Sequence, residues 1–284
     1  MTNEPPRPTS GRRPRLTRRG RLVLIVTAVV VAVAVAVLVP LLRTGESPDG
    51  EKKKTVSLLV PEGRRATQVY ASVDKILGVP PGTTAKAATG TRLELPSAAR
   101  RNPEGYLFPA TYPVEAGATP SGLLGYMVDT ARQRFGADRI TEGARRNGVS
   151  VYQTVTIASI VQAEADTAAD MGRVARVVHN RLARDMPLQM DSTLNYALNR
   201  STLDTTHSDT RTASPYNTYE FRGLPPTPIG NPGEEAMNAA INPTRGDWLY
   251  FVTVAPGDTR FTADYEEHRG NVEEFNANRS AATD

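Results

Sequence analysis

Hydrophobic and polar positions follow several distinct rhythms along this chain, and each rhythm predicts an element. Residues 22–42 form a run of 21 without a charge, long enough to cross a bilayer as a helix. Residues 55–63 read as a strand entering a turn. Residues 66–77 read as a short amphipathic helix, broken by Pro80, Pro81 and Gly82. Within residues 104–114, Tyr106, Phe108 and Tyr112 sit at alternating positions, on one face of a strand, where they would either pack a core or line a sugar groove. From Leu123 to Phe135 the period becomes helical. A further helix begins at Ser150, whose spacing to Gln153 has the form of a capping box. The next helix, residues 171–184, carries Val174, Val177, Val178 and Leu182 as its apolar stripe, with Asp170 ahead of it and Arg181 and Arg184 in its last turn, matching the macrodipole. Asp191 is placed to cap a short helix. Residues 214–233 follow neither period and hold five prolines, an irregular stretch that either shapes a site or forms a rigid surface loop. Residues 247–254 read as a strand, and the chain then closes in a helix with a polar tail.

One position interrupts the apolar pattern of the helix after Ser150. Glu164 follows Ile157, Ile160 and Val161 by seven, four and three residues, so helical geometry stacks all four on one side. A carboxyl buried on that side is desolvated and holds its proton more tightly, which suits an acid catalyst working near neutral pH.

Composition narrows the function classes. The hydrophobic share of 39% and charged share of 23% are ordinary for a folded protein. There is no cysteine, which excludes disulfides, thiol nucleophiles and Cys-ligated zinc. The pI near 9.4 suggests nucleic acid until the charge is located. Residues 1–21 carry seven arginines and one glutamate, and the remainder has a net charge of −2. No basic excess is left in the folded part, so no nucleic-acid partner is expected.

The same arginines orient the apolar run. Seven precede it, against Arg43 directly after it, which places residues 1–21 in the cytoplasm and everything downstream outside. A cleaved signal peptide would have a shorter apolar region ending in a small-residue site, so the run reads as a single-pass cell-membrane anchor. Residues 43–54 are polar and turn-rich, a tether of at most about 40 Å when extended.

Other chemistries find little support. His179, His207 and His268 are far apart with no HExxH spacing, so neither a metal nor a cofactor is expected. Ser159 lies within a helix, and there is no G-x-S-x-G elbow. Gln189 could hydrogen-bond a substrate amide or hydroxyl. Tyr216, Asn217 and Tyr219 combine flat apolar faces with hydrogen-bonding groups, a mixture suited to sugars. Asp191 is either a helix cap or a second acid.

The phrases EGYLFPATY, ASIVQAEAD, VARVVHNRL, LQMDSTLNYAL, SPYNTYEFRGLPPTPIGNPG and LYFVTV follow one another in this order. Together they closely resemble the MltG/YceG-like family of membrane-anchored endolytic murein transglycosylases, over residues 55 to 275 or so. The resemblance implies cleavage of the β-1,4 bond between N-acetylmuramic acid and N-acetylglucosamine, leaving 1,6-anhydromuramic ends and trimming or terminating nascent strands. It implies Glu164 as the catalytic residue, the second acid of an ASI(V/I)EKE-like phrase whose first acid is replaced here by Gln162. Two positions on a helix differ by about 200°, so Gln162 and Glu164 do not face one cleft. Gln189, Ser214, Tyr216, Asn217 and Tyr219 are the expected substrate-binding residues. The expected partners are peptidoglycan strands, the membrane and cell-wall synthases.

The expected fold class is α+β: an N-terminal transmembrane helix, a small LysM-like α/β module at residues 55–103, and a mainly helical lysozyme-like catalytic domain at residues 104–276 with a few strands. Only 49 residues, 55–103, lie between the tether and EGYLFPATY, so the LysM-like module is expected to be shortened. Residues 277–284 are expected to be a disordered tail. Two other functions stay open: a hydrolase with Asp191 or another acid as general base, and a noncatalytic peptidoglycan-binding scaffold.

Overall fold

β1 (Val56–Leu59) pairs antiparallel with β2 (Thr111–Val114), setting Leu58 opposite Tyr112. The computed structural model describes residues 56–200, 205–206 and 208–281. The basic tail, the apolar run, the tether and His207 lie outside the described residues. Among the described residues no helix is long and apolar enough to cross a membrane.

Between β1 and β2 come α1 (Ala66–Leu77) and α2 (Thr83–Gly90). α1 ends at Gly78 in the left-handed conformation, the usual glycine stop of a helix. Asp74 is buried and accepts from the Gly82 and Thr84 N–H groups and the Thr84 hydroxyl. One acid thereby ties the end of α1 to the start of α2. Leu58, Val69, Val73, Leu107 and Tyr112 form a core closed by Leu124, Met127 and Val128 of α3 (Pro120–Phe135). The small sheet therefore joins residues on both sides of position 103, where the sequence reading places a domain boundary.

The three aromatics expected on one strand face are divided between two cores. Tyr112 lies in the first, whereas Tyr106 and Phe108 precede β2 and pack in the second. All three are buried, so they pack cores and do not line a groove. The second core is helical. α4 (Asp138–Arg146), α5 (Val151–Glu164), α6 (Ala168–Ala183) and α8 (Glu234–Ile241) surround it, with the short α7 (Asp191–Ala197) alongside. The Ser150–Gln153 capping box forms as the sequence predicts.

α5 is buried on every side from Thr154 to Val161, not along a single stripe. A helix apolar all round belongs inside a core. Its hydroxyls bond locally, Thr154 to the Ser150 carbonyl, Thr156 to Tyr152 and Ser159 to Thr156, so burial leaves them satisfied.

α6 has the predicted valine stripe, buried at Val174, Val177 and Val178. Arg181 lies in the last turn as expected and is 6% exposed. It donates to the carbonyls of Leu249 (2.6 Å), Pro187 (3.0 Å) and Leu188 (2.8 Å). The guanidinium fork thus pins two backbone segments, at 187–188 and 249, to α6.

The chain closes with the hairpin β3 (Tyr250–Ala255) and β4 (Asp258–Thr262), followed by α9 (Tyr265–Ala281). Leu249 precedes the strand and bonds back to Thr262. α9 continues through Ala281, past position 277 where the disordered tail is expected to begin. The described residues are mostly helical with two two-stranded sheets, an α+β arrangement.

Candidate active site

Glu164 is the last residue of α5, and the backbone turns extended at Ala165. Leaving the helix there frees the carboxyl from the packed interior while keeping it against protein. Glu164 is half-buried, and its Oε1 accepts from the Ser192 N–H at 3.2 Å. Burial pushes its carboxyl above the ordinary glutamate range, Ser192 opposes that shift, and the nearby Asp191 carboxylate adds to it. The Ser192 hydroxyl is buried without a hydrogen bond of ordinary geometry among the described residues.

Asp191 does not cap α7. The cap position is Met190, with no side-chain bond, and Asp191 is the first helical residue. Its Oδ1 accepts from the Tyr219 hydroxyl at 2.5 Å. Burial, then the bond to Asp191, then its charge, all hold the Tyr219 phenol protonated. Tyr219 also lies within electrostatic reach of both Glu164 and Arg181. Glu164, Asp191 and Tyr219 thus converge from α5, α7 and the irregular loop.

Gln189 stands at the edge of this group. Its backbone adopts φ 54, uncommon for a residue other than glycine, and its N–H donates to the Thr218 carbonyl at 2.9 Å. Its Oε1 accepts from Arg181 at 3.0 Å, which fixes the amide. Thr218 completes the clasp, its hydroxyl accepting from the Met190 N–H and sharing a bond with Thr193.

The remaining expected binding residues have other partners. Asn217 is fully buried; its Nδ2 donates to the Thr210 and Thr212 carbonyls and its Oδ1 accepts from the Tyr219 N–H. It shapes the loop and offers nothing to a ligand. Ser214 accepts from the Tyr216 N–H through its hydroxyl and from the Asn217 N–H through its carbonyl, a local turn. Tyr216 shares a hydrogen bond with Thr227 and packs on Tyr196 at 4.9 Å between ring centroids.

Tyr196 leads to a residue that the sequence reading passes over. Its hydroxyl donates to Glu104 Oε2 at 3.1 Å, and the Ala66 N–H at the start of α1 donates to Oε1 at 2.9 Å. Glu104 is 3% exposed. Burial pushes its carboxyl up to about 7, against the two hydrogen bonds and the Arg65 charge. Arg65 sits over the Tyr196 ring at 5.2 Å and donates to the Arg200 carbonyl. The one signal in sequence is an acid directly before a glycine: Gly105 has φ +83, and a Cβ there would stand 2.5 Å from Pro228.

Neither described histidine joins the site. His179 bonds the Ala240 carbonyl, and His268 stacks on Tyr250. Among the described residues no three His, Asp or Glu side chains cluster so as to hold a metal ion.

Known proteins of similar sequence and fold bear on this geometry. The family model described as the YceG-like family matches residues 33–274. The endolytic murein transglycosylase of Bacillus subtilis (strain 168) is 36% identical over 173 residues, covering 61% of this chain and 48% of that protein. The endolytic murein transglycosylase of Streptococcus pneumoniae (serotype 2, strain D39) is 32% identical over 264 residues, covering 84% of this chain and 48% of its own length. The chain spans about half the length of these curated relatives. Its fold is similar to the 2.6 Å crystal structure of the yceG-like protein lmo1499 from Listeria monocytogenes, with a TM-score of 0.67 and 30% identity over 78% of this chain and 77% of that one. With the family's pattern running through nearly all of its described residues, the chain belongs to the YceG-like family.

Proposed function

We propose that the chain is a membrane-anchored endolytic lytic transglycosylase of peptidoglycan, with Glu164 as both acid and base. The observation that carries this reading is the Glu164 carboxyl at the end of a helix buried on every side from Thr154 to Val161, pushed above its usual range by burial, with Tyr219 of the irregular loop within electrostatic reach. The names of the similar proteins, endolytic murein transglycosylases, agree with it.

In this mechanism Glu164 gives its proton to the glycosidic oxygen as the bond from C1 of the muramic sugar breaks. The resulting carboxylate then takes the proton of the 6-hydroxyl as that oxygen closes onto C1. One proton leaves and one returns, and no water is consumed. The Ser192 N–H stabilises the intermediate carboxylate. The Asp191 charge favours the protonated starting form. Gln189 and Tyr219 orient the sugars.

The residues before the described part complete the proposal. The run at 22–42 anchors the chain in the cell membrane with residues 1–21 in the cytoplasm, and the tether holds the catalytic part near the outer face, within reach of cell-wall synthases. The order β1–α1–α2–β2, with the two strands paired, supports a LysM-like module whose second strand is Thr111–Val114. Fractionation of the chain with and without residues 22–42 tests the anchor: recovery of both forms in the soluble fraction would overturn it.

A second reading has one observation in its favour. Asp191 stands beside Glu164 and could activate a water, as the second carboxylate of an ordinary glycosidase does. Mass spectrometry of the products released from purified peptidoglycan separates the two. Anhydromuramic ends from the wild type and none from Glu164→Gln support the transglycosylase, whereas reducing ends assign a hydrolase. A folded Glu164→Gln variant that still cleaves would remove Glu164 from the mechanism.

A further inference from the structure

We infer that a basic cavity between α2 and the segment leading to Glu104 binds the free carboxylates of the peptide stems carried by peptidoglycan strands, an inference that rests on the peptidoglycan reading above. The cavity has a volume of about 410 Å³, and its lining includes Arg92, Arg100 and Arg101 together with Leu93, Leu95 and Pro96. Glu94, the one acid between Thr91 and Arg101, is not part of its wall.

All three arginines are exposed, and none has a carboxylate partner among the described residues. Arg101 donates only to the Thr89 carbonyl, at 3.3 Å. Three cations within ten residues and no counter-charge in the wall contrast with a folded part whose net charge is slightly negative. Such a concentration favours an anion, and guanidinium forks match carboxylates two bonds at a time.

The backbone supports the same view. Arg100 and Arg101 are consecutive left-handed residues with φ 47 and 69, conformations that side chains other than glycine seldom adopt and that collect at ligand sites. They set the two guanidinium groups on one cavity instead of on opposite faces of a strand.

Position relative to Glu164 favours a stem over a lipid headgroup. Arg100 acts electrostatically on the Tyr152 hydroxyl, which also reaches the Pro226 carbonyl in the irregular loop. Tyr152 lies in the first turn of α5, twelve residues before Glu164, or about 18 Å along the helix axis. A glycan running from the acid over the irregular loop toward Tyr152 would present its stems at this cavity. The concave shape and the apolar Leu93, Leu95 and Pro96 in its lining suit a short peptide; a bilayer surface would meet a flat basic face more readily.

The test uses the full-length chain in detergent and the double variant Arg92→Gln/Arg101→Gln, with melting temperature checked for both. The probe is the tetrapeptide L-Ala-γ-D-Glu-L-Lys-D-Ala, followed by isothermal titration, beside the same peptide with its carboxyls amidated. Amidation and the double substitution should each weaken binding on the order of tenfold. Equal binding of the two peptides, or no binding of either, overturns the inference. So does a variant whose one loss is affinity for phosphatidylglycerol vesicles, which would assign the arginines to a lipid surface. Turnover gives a second readout: the ratio of kcat/KM on stem-bearing to stem-stripped strands should fall toward one in the variant. Failure of the wild type to cleave stripped strands as well as stem-bearing ones would refute the transglycosylase reading, and the peptide titration would still decide the cavity.

Discussion

The Tyr219 hydroxyl donates to Asp191 Oδ1 at 2.5 Å, joining the irregular loop to the first residue of α7 beside Glu164. The bond anchors the Asp191 carboxylate where its charge bears on the catalytic candidate. Loss of that bond alone tests its worth. Tyr219→Phe should lower kcat/KM on the order of tenfold, equivalent to about 1.4 kcal/mol, with little change in melting temperature. Steady-state kinetics on solubilised strands would measure it; unchanged kinetics would make the pair a structural link.

Glu164→Gln should reduce turnover by about 10²- to 10⁴-fold, the usual worth of a positioned general acid and base. Circular dichroism should find the fold intact, because the residue is only half-buried at a helix end. A melting temperature lowered by many degrees would shift the interpretation from chemistry to folding.

The pH profile carries a signed prediction. Glu164 must be protonated at the start of the reaction, and its pKa is raised, so activity should persist above the ordinary glutamate range and decline as pH rises through the raised value. Asp191→Asn removes a charge that contributes to the rise. The alkaline limb of kcat/KM should therefore move to lower pH in that variant, and movement in the other direction contradicts the assigned coupling.

Glu104 predicts a pH-dependent stability. Its folded pKa is about 7, against an ordinary value of 4.5. The folded state therefore holds a proton that the unfolded state releases, and stability should fall as pH rises from about 4.5 to about 7. The span corresponds to roughly 3 kcal/mol. Glu104→Gln should flatten this slope in denaturant titrations across that window and be the more stable protein at pH 8. Parallel slopes for the two proteins would show that Glu104 is not the group responsible.

Arg181 should prove a stability determinant despite its place near the site. Arg181→Met strands the Leu249, Pro187 and Leu188 carbonyls and the Gln189 amide oxygen, at a cost of roughly 3 kcal/mol or more. Lysine lacks the planar fork and should recover only part of the loss. Thermal melts of the three proteins would rank them.

Local pattern was enough for the elements whose causes are local. The Ser150 cap, the valine stripe of α6, the break at Pro80, Pro81 and Gly82 and the apolar helix that carries Glu164 all depend on residues within a few positions of one another. Tertiary structure decided what depends on distant partners. Asp191 reads as a cap because an acid before a helix usually is one, and only the fold brings Tyr219 and Glu164 to it. Asn217 has the chemistry of a sugar ligand, yet three loop groups saturate its amide. Tyr106 and Tyr112 share a period but enter different cores, because β2 begins only at Thr111 and pairs with a strand some 55 residues earlier. Glu104 and Arg181 look like surface charges in sequence, since periodicity records which face a residue occupies and not how deeply another segment covers it. The sequence by itself determined the family and the helices with a strong local pattern, among them α1, α3, α5 and α6; burial and long-range hydrogen bonding decided the helices between them and which neighbours Glu164 has.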